Sequence, residues 1–177
     1  MRGRCLSRGE RLAVLLDGLA ERVGRGVALL TVVLAFIGLA VVILRYGFDL
    51  GYVWMQELVL WFHAAVFMLG AAYALRHDAH VRVDVFRQRM TLRHRHWVDL
   101  LGTVLLLWPT CAVIAWYSVP YVAGSWDIGE RSREAGGMPW LWLLKGMIPA
   151  LAVLLAVQGL AISLRAVTGL RKPLDAA

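Results

Sequence analysis

Acidic residues are scarce in this chain: 12 Asp and Glu stand against 19 Lys and Arg, and charged residues make up only 18% of its 177 positions. A soluble domain carries about 25% charged residues, whereas here 60% of the chain is hydrophobic and the mean hydropathy is +0.65. That excess is too large for a water-soluble core. Cysteine is confined to Cys5, in an arginine-rich head, and Cys111, in an apolar run, which excludes a disulfide framework. There is no HExxH, P-loop or CxxC, and no Ser/His or Cys/His pair lies within an apolar stretch, so the residue sets of common hydrolases and nucleotide-dependent enzymes are missing. One histidine, His63, falls at membrane depth, so a bis-His haem cannot be built from this chain alone. Neither an internal repeat nor a pair of glycine-broken helices forms a midplane transport site. The sequence therefore leads to the expectation of a non-enzyme without cofactor or metal.

Four apolar stretches, 27–44, 52–75, 97–117 and 140–164, each reach the roughly 17–25 residues needed to cross about 30 Å of hydrocarbon as a helix. The net charge of +7 would suit a nucleic-acid partner or anionic lipid, and its placement decides between them. Fifteen Lys and Arg lie in the head, the 76–96 loop and the tail, against Arg45, Arg131 and Arg133 in the other two loops. By the positive-inside rule both termini are cytoplasmic. Tyr52, Trp54, Trp116, Tyr117, Tyr121, Trp126, Trp140 and Trp142 then gather toward the outer interface, where amphipathic rings are favoured. The first span exceeds a signal-peptide apolar core and lacks a cleavage pattern, so it reads as an uncleaved span.

Residues 7–24 place Leu12, Leu15, Leu16, Leu19 and Val23 at helical spacing, with Glu10, Arg11, Asp17, Glu21 and Arg22 mostly on other faces. Ser7 and Glu10 are spaced as a capping box. This predicts an amphipathic helix in the cytoplasmic interface, the plainer alternative being a solvated lead-in to span one. The basic loop 76–96 lacks Gly, Pro and Ser and is not a flexible linker. Its charge is accounted for by orientation and anionic headgroups, each cation being worth about 1 kcal/mol at the surface. No aromatic platform or recognition helix accompanies it, which argues against nucleic acid, and no thiolate or carboxylate cluster completes a metal site around His77, His80, His94 and His96. The loop 122–139 is expected on the periplasmic side. The fold class is thus an all-α integral membrane protein, with four transmembrane helices and an N-terminal interfacial helix in a single domain.

Charges inside spans need a partner or a role. Glu57 and Lys145 lie a few residues in from the outer ends of spans two and four, at comparable depth, and are expected to pair with each other or each with a partner subunit. Arg45 is a second candidate for Glu57, and snorkelling to the interface is the bland alternative. Gln56, His63 and Gly70 recur every seven residues on one face of span two, a pattern suited to helix packing in lipid. Pro109 and Pro149 are expected to bend their helices.

Span two and its exit, from Trp54-Met55-Gln56-Glu57 through Gly70-Ala71-Ala72-Tyr73-Ala74-Leu75 to Arg76, His80 and Asp84, resemble the small permease subunit of TRAP transporters, the DctQ-type family. Trp126-Asp127-Ile128-Gly129-Glu130-Arg131-Ser132, Gly136-Gly137-Met138-Pro139, Lys145, Pro149 and Gln158 are similar to one branch of that family. The resemblance covers nearly the whole chain after residue 27. It implies an inner-membrane partner of a large permease subunit and a periplasmic substrate-binding protein, importing an organic acid, usually a carboxylate, with an ion gradient, usually sodium. The ion and substrate sites would belong to the large subunit, and this one would brace the scaffold. Asp127, Glu130 and Arg131 are then candidates to meet the binding protein, or form a solvated turn. An independent homodimeric proton-coupled exporter, with Glu57 as its coupling site, is the alternative, and an electron-transfer anchor a third.

Overall fold

The computed structural model describes residues 8–77 and 90–171. Helix α1 covers Arg8–Gly47 and α2 covers Val53–Arg76. Helix α3, Leu92–Gly102, passes through a π-helical turn, Thr103–Leu107, into α4, Trp108–Asp127. Helix α5 covers Leu141–Arg171. Four helical stretches among the described residues are long and apolar enough to cross a membrane, with α3, the π-turn and α4 counting as one.

Helix α5 is the axis of the bundle. It packs against α1, α2, α3, the π-turn and α4, while α1 and α2 pack on each other and α4 rests chiefly on α5. The α1–α2 register is antiparallel and even, since Glu21 meets Arg76, Gly24 meets Tyr73 and Val27 meets Gly70. The α4–α5 hairpin keeps step in the same way: Trp126 meets Trp142, Tyr121 meets Lys145, Trp108 meets Gly159, and in α3 His96 meets Gly169. Lipid supplies no hydrophobic drive between helices, so close approach of small residues takes its place. A Cβ on Gly24 would overlap the Tyr73 ring, and one on Gly159 would crowd Leu107 and Trp108. Ala65, Ala72, Ala152, Ala161 and Ala166 are buried in the same seams.

The N-terminal helix departs from the expected separate interfacial element at 7–24. Helix α1 runs unbroken for 40 residues, about 60 Å at 1.5 Å per residue and twice the hydrocarbon thickness. The cause is a single seam shared by both halves. Ala13, Ala20, Val27, Leu34 and Val41, seven apart, and Leu16, Val23, Leu30, Ile37 and Leu44, also seven apart, are all buried or half-buried, the spacing that keeps one helix face on a neighbour. The face differs in part: of the five apolar residues Leu16 and Val23 lie in the seam, Leu12, Leu15 and Leu19 are exposed, and Asp17 and Glu21 bond to residues of α5 and α2.

Span three is longer than 97–117 at both ends. Pro109 lacks an N–H and crowds the preceding turn, and the wide π-turn directly before it absorbs the defect, with the Thr103 hydroxyl donating to the Asp99 carbonyl at 2.7 Å. Pro120 and Pro149 are carried inside α4 and α5. The connection after α4 is therefore 128–140, shorter than the expected 122–139.

Candidate functional site

Two polar clamps fasten opposite ends of the bundle. At the end where α4 passes into α5, the connecting loop turns at Gly129 (φ 57°) and Gly136 (φ 80°), left-handed conformations that favour glycine. The loop closes on itself through Ser132 N–H to the Met138 carbonyl, 3.0 Å, and Leu141 N–H to the Glu130 carbonyl, 3.2 Å. Glu57, in the first turns of α2, then ties the loop down. Its carboxylate accepts the Ser132 hydroxyl and, at 2.6 Å, the Met138 backbone N–H. Gly137 fits between them, because a Cβ there would meet both Ser132 and the Glu57 carboxylate.

Lys145 makes the second attachment. Its ammonium pairs with Glu130 and lies 4.0 Å from the centre of the Tyr121 ring, a cation–π position. The Lys145 ammonium holds the Glu130 carboxyl below its ordinary value. Trp126 packs edge-on against Trp142 at 4.3 Å. One loop is thus fixed to α2, α4 and α5 together.

The opposite end, where residues 8 and 171 lie, carries the second clamp. Asp17 of α1 accepts from the Gln158 amide at 3.1 Å and from Arg165 at 2.6 Å, both on α5. One turn on, Glu21 meets Arg76 at the end of α2, His77 Nε2 at 3.3 Å and Arg25 at 3.5 Å. Gln158 is 1% exposed, so its amide is inside the bundle and its bond to Asp17 matters more than a surface contact would.

The predicted residues fall into three groups. Glu57 and Lys145 do not bind each other, a correction to the direct pair: the 128–140 loop folds between them and supplies each with a nearer partner. Arg45 is exposed and has no ion pair among the described residues. Of the packing face Gln56, His63 and Gly70, only Gly70 is engaged, against Val27 at a Cβ distance of 3.4 Å, while Gln56 and His63 are exposed. The bundle uses Trp61, Ala65 and Ala72 of α2 instead. Arg76 joins the Glu21 clamp, and His80 and Asp84 lie outside the described residues. Asp127 and Arg131 are exposed, whereas Glu130 is already held by Lys145.

Sequence reasoning missed the Asp17–Glu21 clamp. Its signal was present: Asp17 and Glu21 are four apart and Gln158 and Arg165 seven apart, so each pair shares a helix face. Ser132 and the Met138 amide carried no comparable signal.

No curated protein and no solved structure matches the chain. A family model described as "Tripartite ATP-independent periplasmic transporters, DctQ component" matches residues 34–169, from the second half of α1 to the last turn of α5.

Proposed function

The chain belongs to the DctQ family of small membrane components of TRAP transporters, and from that premise we propose that it acts as a static brace for the large permease subunit. In this reading the assembly lies in a bacterial inner membrane and imports an organic acid, usually a carboxylate, with an ion gradient, usually sodium. The large subunit holds the transport sites, and this chain supplies the surface against which the moving part works. The observation that carries the reading is the use made of Glu57 and Lys145. Ionisable residues within membrane spans commonly mark transport pathways, but these two hold a loop onto three helices. The Asp17 and Glu21 contacts do the same at the other end.

With both chain ends cytoplasmic, the fastened 128–140 loop faces the periplasm, and exposed Asp127, the last residue of α4, and Arg131 of the loop are presented to the substrate-binding protein. Leu12, Leu15 and Leu19, exposed beside Arg11 and Arg22, suit the headgroup region of the membrane. An independent exporter would need Glu57 free to exchange protons with a pathway, and its bonds to Ser132 and Met138 oppose that role. Purification of the tagged chain in mild detergent, with its genetic partners present, tests the proposal. One large hydrophobic subunit co-isolating in constant proportion is expected, whereas a homodimer free of any larger subunit would overturn it.

A further inference from the structure

His63 lies ten residues after Val53 and thirteen before Arg76, some 15–20 Å from either end of α2 at 1.5 Å per residue. It therefore sits near the middle of the hydrocarbon. It is exposed on the bundle surface and has no side-chain partner among the described residues. Nothing in the acyl region can accept or donate a hydrogen bond, so an imidazole left there is costly.

His63 does not stand alone. Gln56, Leu60, His63 and Phe67 recur at spacings of four, three and four, and all are exposed, Leu60 at 65% and Phe67 at 74%. Ala71 and Ala74, both half-buried, continue the row as small residues. The other sides of α2 are already occupied: Trp61, Ala65 and Ala72 are buried, Tyr73 and Arg76 meet α1, and Gly70, at the edge of the row, meets Val27. The free row has the spacing of a helix–helix seam. It combines two hydrogen-bonding side chains with a small-residue end that permits close approach. Thr31, on exposed α1, differs in that its hydroxyl is satisfied by the Val27 carbonyl at 3.1 Å.

We propose that this row of α2 is the seam against which a transmembrane helix of the large permease subunit packs, with a polar side chain of that helix hydrogen-bonded to His63. The proposal rests on the reading of the chain as a transporter component, because that reading places a second membrane subunit beside it. The chemistry required of the partner is specific: an apolar helix with a hydrogen-bonding group at bilayer mid-depth and small side chains opposite Phe67.

The test uses the complex isolated in mild detergent. Photoreactive benzophenone residues placed singly at Leu60 and Phe67 are expected to cross-link to the large subunit. His63→Leu is expected to lower the amount of large subunit co-isolated by about threefold, the strength typical of one hydrogen bond between membrane helices, and His63→Gln to restore most of it. Cross-links to a second copy of this chain would overturn the proposal. So would the lack of any cross-link while the two subunits still co-isolate, or full recovery with His63→Leu; these leave the brace reading standing. Absence of a co-isolating large subunit from the unsubstituted chain would instead remove that reading, and this proposal with it.

Discussion

Glu57 satisfies two donors from one loop, and its removal leaves both the Ser132 hydroxyl and the Met138 amide without an acceptor. A buried donor left unpaired costs about 1–3 kcal/mol, and because the donors belong to a loop the damage is expected to stay local. Glu57→Ala should speed amide exchange across residues 130–138 while α1 and α2 keep their protection, which hydrogen exchange with mass spectrometry reads directly. Glu130 gives a pH signature. Lys145 holds its carboxyl below the ordinary value of 4.5, so the contact contributes fully above pH 4.5 and is lost as the pH falls through the lower folded value. With the intrinsic pH dependence of amide exchange divided out, protection of the loop is expected to be flat from neutral pH to about 4.5 and to fall below it, and Glu130→Gln should flatten that acid step. The sequence placed Glu57 and Lys145 near the ends of their apolar runs and called for a partner for each. It did not reveal azimuth around the helix, or that a loop with two left-handed glycines would fold back between them.

Each helix seam depends on where small residues meet large ones. Gly24 faces the Tyr73 ring, while Gly38 on the same helix has nothing within 4 Å. Gly24→Val should therefore destabilise the bundle by about 1–3 kcal/mol, the usual cost of overpacking, and Gly38→Val should change it little. Thermal unfolding of the two variants in one detergent separates them. The centres of the helices were legible because four apolar runs of spanning length admit no other backbone structure in lipid. Their ends were not, since α1, α4 and α5 continue into polar or interfacial sequence on the strength of tertiary contacts. The amphipathic pattern at 7–24 marked the contact face only in part: Leu16 and Val23 lie in the seam, but Ala13, Ala20 and Gly24 allow the closer approach, and the bundle took that face together with Asp17 and Glu21.

At the scale of the molecule, basic residues near one end and aromatic residues near the other predict its orientation. A membrane-impermeant thiol reagent applied to intact cells stripped of their outer membrane should label Arg131→Cys and leave Arg171→Cys unlabelled. The family was legible in the motifs after residue 54, and the family model agrees over residues 34–169; the exposed row Gln56, Leu60, His63 and Phe67 of α2 emerged only from the structure. The central claim is that this chain braces a transporter without forming a pathway of its own, and flux measured in liposomes tests it most directly. The chain reconstituted alone is expected to carry no proton- or sodium-coupled flux, and uptake is expected to appear when the large subunit and the binding protein are added. A coupled flux through the chain alone that vanishes with Glu57→Gln would contradict the account.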